Sequence, residues 1–85
     1  MLDSLELLDQ HLSANGEAGW ASAIRNIIAV RDTKSVEEAA RLAKGLFGGM
    51  GSLSDLVLQS TAAANSELER LQDRLFQEAG QAISP

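Results

Sequence analysis

Cysteine is absent from this 85-residue chain, histidine and tryptophan occur once each (His11, Trp20), and the one proline is Pro85. Without cysteine there is no disulfide framework and no thiolate metal site, and the chain is indifferent to redox compartment. A single histidine leaves any zinc or iron site to be built almost wholly from carboxylates, an uncommon donor set, so no metal and no cofactor are expected. The same His11 would have to serve any Ser–His scheme, and no GxSxG nucleophile elbow accompanies it. His11 reads as a packing or surface residue on the shoulder of the first apolar stripe, and the chain reads as noncatalytic.

Aromatic residues are scarce at 4%, namely Trp20, Phe47 and Phe76, so the core must rest on Leu, Ile, Val and Ala. A chain of this length buries roughly 60 to 65% of its unfolded surface, which suits one small helical domain over residues 1–85 with dimerisation as a natural supplement. No apolar run approaches the roughly 20 residues that span a bilayer. Met1 to Glu6 carries acids where a signal peptide would carry bases. A cytoplasmic location without membrane association is the expectation.

Positive charge is also scarce: seven Lys and Arg against twelve Asp and Glu, a net charge of -5. That balance disfavours nucleic acid as a partner, since binding to phosphates draws on clustered bases. The distribution is uneven. Residues 1–24 hold four acids and no base, and residues 45–85 hold five acids against Arg70 and Arg74. The middle holds Arg25, Arg31, Lys34, Arg41 and Lys44 against Asp32, Glu37 and Glu38. The molecule is acidic with a mildly basic waist.

The apolar residues recur at helical spacing. Leu2, Leu5, Leu8 and Leu12 define a first helix stopped by Asn15-Gly16, and Trp20, Ala23, Ile24, Ile27 and Ile28 define a second over about Glu17 to Val30. Ser35 with Glu38 forms a capping box for a third, lined by Val36, Ala39, Ala40, Ala43, Leu46 and Phe47 and ending at Gly48 or slightly before. One long helix is conceivable after that, because Leu53, Val57, Ala64, Leu68, Leu71 and Leu75 keep near-heptad spacing. A break is favoured. Gln59-Ser60-Thr61 and Asn65-Ser66 are weak helix formers, and Ser66 with Glu69 makes a second capping box. The last helix then runs from about Ser66 to Ala79, buries Leu68, Leu71, Leu75 and Phe76, and stops at Gly80.

The densest signal is Gly48-Gly49-Met50-Gly51-Ser52, a run that side chains with a Cβ would resist. Converging loop N–H groups, with Arg41 and Lys44 upstream, could hold a phosphate or carboxylate. However, no lysine follows as in a Walker loop, and a helix rather than a strand precedes it. A tight junction between helices is the plainer reading. Gly45 to Gly48 has a GxxG shape without the strands of a KH domain, and a helix-turn-helix around Lys34 conflicts with the acidic total. Ser52 and Asp55 can cap a following turn, and Asp55 is otherwise a charge facing a partner. Met50 either plugs a gap or protrudes as an adaptable contact, and Trp20 is core or an interface anchor. Glu37 with Glu38, and Glu69 with Asp73, read as solvated acids interleaved with Arg41, Arg70 and Arg74. The candidate binding residues are therefore Phe47, Gly48, Gly49, Met50, Gly51, Ser52, Asp55, Arg41, Lys44 and Trp20.

Phe47 to Leu58, FGGMGSLSDLVL, resembles a group of short bacterial proteins that share an aromatic-GGMGS-apolar-x-Asp-Leu-x-Leu core, followed by an asparagine-led terminal helix. Asn65 to Phe76, NSELERLQDRLF, matches that helix. The chain departs from the group in having Ser54 where Asn is commoner, and in its connector from Gln59 to Ala64. The resemblance covers about the second half of the chain and implies a bacterial source and no established activity.

Taken together, these features lead us to expect an all-α bundle of about four helices with a glycine-rich loop before the C-terminal part. The expected role is a noncatalytic protein-binding or regulatory protein, immunity-like, whose acidic surface masks a basic target. Two alternatives are a small-molecule or anion-binding domain using the glycine-rich loop, and a structural homodimer using Trp20 or Met50.

Overall fold

Leu5, Leu8 and Leu12 are fully buried along one side of helix α1 (Ser4–Ala14), as their spacing requires. The computed structural model describes residues 1–47 and 52–83. Leu2 is buried too, but ahead of the helix and in the left-handed region at φ 57°. Arg31 donates to the Met1 and Leu2 carbonyls at 3.3 Å each and holds this turn.

Helix α1 ends where Gly16 takes φ +79°. The Glu17 N–H reaches back to the Leu12 carbonyl at 2.9 Å and the Gly16 N–H to Ser13 at 3.4 Å, the Schellman pattern that satisfies the last carbonyls. Helix α2 (Ala18–Thr33) outruns the sequence expectation by about a turn. It buries Ala21, Ile24 and Ile27, with Trp20 and Ile28 half-buried on its flanks. Its end is tied off when the Lys34 and Ser35 N–H groups both donate to the Val30 carbonyl.

Helix α3 (Val36–Gly45) opens where expected, with Ser35 Oγ accepting the Glu38 N–H at 3.0 Å, the first half of the capping box, while the Ser35 N–H goes to the Val30 carbonyl. Its core face is Ala39, Ala40 and Ala43, all fully buried, so its backbone can approach its neighbours closely. Beyond it, the Leu53 N–H donates to the Leu46 carbonyl at 2.7 Å, bringing together the two ends of the glycine-run segment. Gly48 to Gly51 lie outside the described residues.

A break does separate α3 from the terminal helix, but it lies earlier than Ser66. A 3-10 turn at Leu53–Asp55 leads into an extended Leu56, and α4 (Ala62–Ala82) starts from Thr61, whose Oγ1 accepts the Ala64 N–H at 3.0 Å. Ser66 and Glu69 therefore sit inside the helix rather than opening it. Three alanines directly after a good N-cap outweigh the weak helix formers that follow. Gly80 does not stop α4 either, because the Ile83 N–H still bonds the Ala79 carbonyl.

The helices close a ring in which α1 packs on α2, α2 on α3, α3 on α4 and α4 on α1, with the 3-10 turn set against α4. The described residues form no strand. The radius of gyration is 12.2 Å, against about 12 Å for a compact chain of this length. The core is leucine, isoleucine and alanine, with Leu53, Leu58, Leu68, Leu71 and Leu75 completing it from the second half. Phe76 departs from expectation: it is 45% exposed, one position beyond the buried Leu75 and turned toward α3.

Candidate functional site

All five arginines are paired with carboxylates of their own chain. Arg31, only 13% exposed, donates to Glu6 through both Nη atoms and to Asp32 through Nε at 2.8 Å. The hydrogen bond from Arg31 is the main reason the Glu6 and Asp32 carboxyls are held below their ordinary pKa, and the two acids in turn raise that of Arg31. Arg25 meets Asp9 at 2.9 Å, Arg70 meets Glu67, and Arg74 meets Glu78 at 3.0 Å. Arg41 and Glu37 make a looser exposed pair at 3.5 Å. The basic waist read from the sequence is thus largely spent on α1 and on local pairs.

Glu78 has a second task. Burial disfavours its charge, but the Ser4 hydroxyl at 2.5 Å, the Ser4 N–H at 3.2 Å and Arg74 together lower its pKa. A residue of α4 therefore caps the first turn of α1, where an anion also suits the helix dipole. His11 makes another polar link between these helices: its Nε2 lies 2.8 Å from the Ala64 carbonyl oxygen, which can only accept, so Nε2 carries the proton. His11 also lines a shallow groove of about 310 Å³ with Leu7, Gln10 and Glu67. Among the described residues no group of three His, Cys, Asp or Glu could hold a metal ion. No helix among them is long and apolar enough to cross a membrane.

The sequence-derived candidates separate in space. Phe47 meets Phe76 edge to face, with ring centroids 5.5 Å apart at 79°, and Lys44 Nζ stands 5.3 Å from the Phe76 centroid. Arg41 points to the other flank of α3, where it lines a groove of about 460 Å³ with Val30, Lys34, Glu38 and Leu42. Ser52 is buried with Oγ 2.8 Å from Ser54 Oγ, and its carbonyl rather than its side chain takes the Asp55 N–H. Trp20 is half-buried against the core. Gly48, Gly49, Met50 and Gly51 lie outside the described residues.

Sequence reasoning passed over the outward stripe of α4. Glu69, Asp73 and Phe76 follow one another at spacings of four and three, so they share a face of the helix. Neither acid has an ion pair among the described residues, and both are exposed beside the half-exposed ring. The available signal was the acid spacing itself, which reads as a solvated face until Phe76 is seen to join it. Asn65 was also missed: its amide holds the backbone of Leu58.

Residues 13–67 match the family model of a domain of unknown function, DUF6966. The match runs from the last two residues of α1 into the first turns of α4, so it takes in the α2–α3 groove and Asn65 but not the Glu69–Phe76 stripe. No curated protein and no solved structure matches the chain.

Proposed function

The chain belongs to the DUF6966 family, and from that premise we propose that it is a noncatalytic protein-binding protein that presents the acidic stripe of α4, ended by Phe76, to a basic partner, as an immunity or regulatory protein would. One observation carries this reading: Phe76 stays 45% exposed at the end of a face it shares with Glu69 and Asp73, two exposed acids with no ion pair among the described residues, in a chain whose arginines all have carboxylate partners of their own. An exposed ring next to two carboxylates on one helix face, with Lys44 on its other side, is the kind of anchor that dominates binding energy, and the carboxylates favour a basic partner and speed encounter. The small aliphatic core makes a stable scaffold for such a face and supplies no reacting group.

The test is affinity capture from the source cell with the wild-type chain, the Glu69→Lys/Asp73→Lys variant, and Glu17→Lys as a charge-altered control away from the stripe. A protein retained by wild type and control at low salt, and lost with the stripe variant, is expected. Recovery that ignores the stripe substitutions counts against the reading.

A further inference from the structure

The groove between α2 and α3 is the chemical complement of the α4 stripe. Val30 and Leu42 give it apolar lining, with Leu42 50% exposed, and Lys34 and Arg41 give it positive charge against the single acid Glu38. Lys34 has no ion pair among the described residues, and Arg41 holds Glu37 only across 3.5 Å with both side chains well exposed, a contact that water and a competing carboxylate readily exchange. Every other arginine is held at 3.0 Å or less, and Lys44 is stacked on the chain's own Phe76. Among the described residues this groove is therefore the one place where unpaired or loosely paired positive charge borders exposed aliphatic surface. The stripe offers the reverse, with two carboxylates one helical turn apart, about 6 Å along the axis, beside an exposed ring.

We propose that the groove receives the Glu69–Asp73–Phe76 stripe of a second copy of the chain, with the ring against Val30 and Leu42 and the carboxylates toward Lys34 and Arg41. This rests on the reading of the stripe as a protein-binding face and names its partner. Two copies of net charge -5 repel at long range, so an encounter is favourable only when it sets this positive groove against that negative stripe. Groove and stripe are different surfaces, so the contact is head to tail, and each copy carries one of each. Glu38 opposes the incoming carboxylates and keeps the association weak.

The test is light scattering and sedimentation equilibrium on the full chain from about 10 μM to about 1 mM, a range that detects even millimolar affinities. The expected result is a mass that rises above 9.0 kDa with concentration and falls back as salt increases from about 0.05 to about 0.5 M. Lys34→Glu/Arg41→Glu and Glu69→Lys/Asp73→Lys should each be monomeric alone. Their equimolar mixture should associate again, because each then supplies the surface the other lacks, and this recovery also shows that both variants are folded. Glu38→Gln should tighten association about threefold. A mass of 9.0 kDa throughout, or association indifferent to both charge reversals, overturns the proposal. So does a mixture that stays monomeric while each variant keeps its helical circular dichroism. A monomeric chain that still captures a different protein through the stripe discards the second copy and leaves the protein-binding reading standing.

Discussion

The side-chain amide of Asn65, in the first turn of α4, pairs with both backbone groups of Leu58: Oδ1 accepts the Leu58 N–H at 2.7 Å and Nδ2 donates to the Leu58 carbonyl at 3.2 Å. The same Nδ2 reaches the Thr61 carbonyl at 3.1 Å. One side chain thus does for an extended segment what a neighbouring strand would do, and it lets Leu58 enter the core without stranding its backbone.

Asn65→Ala should cost about 2 to 3 kcal/mol, because it leaves a part-buried donor and acceptor unmet. Asn65→Asp should cost nearly as much, since a carboxylate accepts from Leu58 but cannot donate back. Urea denaturation of the two variants checks this, and a variant within about 0.5 kcal/mol of wild type would contradict the clamp.

Two glycines should respond to alanine with opposite signs. Gly16 has open space around it but lies at φ +79°, so Gly16→Ala should destabilise by about 1 kcal/mol through backbone strain alone. Gly80 also has open space, but it continues α4 in an ordinary helical conformation, and Gly80→Ala should stabilise by about 0.5 kcal/mol. Melting temperatures of the pair give the signs directly.

These cases show what could be read from the sequence and what could not. Ser35 capping Glu38, Gly16 ending α1 and the leucine stripe of α1 are local, decided within one or two turns, and the four-helix class followed from them. The start of α4 was misplaced because Ser66 and Glu69 imitate a capping box, while the groups that settle the matter are Thr61 and an Asn65 amide committed to Leu58. Phe76 reads as buried together with Leu75, yet a helix turns about 100° per residue, and that one step carries the ring out to Phe47 and Lys44. The Ser4–Glu78 cap joins residues 74 positions apart, and no local pattern announces it. The acidic face of α4 was visible as composition but not as a site, since its aromatic member had been assigned inward.

Arg31→Ala should destabilise the chain by about 1 to 2 kcal/mol near neutral pH, since it frees Glu6 and the Met1 and Leu2 carbonyls together. Arg31→Lys should recover only part of this, because an ammonium cannot reproduce the forked contact with Glu6. The pH dependence has a definite sign. Glu6 and Asp32 have folded pKa values below their ordinary ones, so their contribution is complete above the unfolded values of about 4 and disappears as pH falls through the folded values. The gap between wild type and Arg31→Ala should therefore narrow in acid, which thermal melts from about pH 7 to about pH 2.5 would reveal.

Leu75 and Phe76 are adjacent, and the larger side chain should matter less. Leu75 is fully buried, so Leu75→Ala should cost about 3 to 4 kcal/mol through lost transfer energy and the cavity it leaves. Phe76 is 45% exposed, with Phe47 edge-on and Lys44 over its ring, so Phe76→Ala should cost about 1 to 1.5 kcal/mol despite removing more atoms. Size alone would give the opposite order. Chemical denaturation of both variants therefore tests whether the ring belongs to the core or to the surface. If Phe76→Ala proves as costly as Leu75→Ala, the aromatic is structural and the stripe loses its anchor. If the expected order holds, the ring is a surface group with a modest share in stability, and Phe76→Ala becomes a folded protein in which to measure what that face binds.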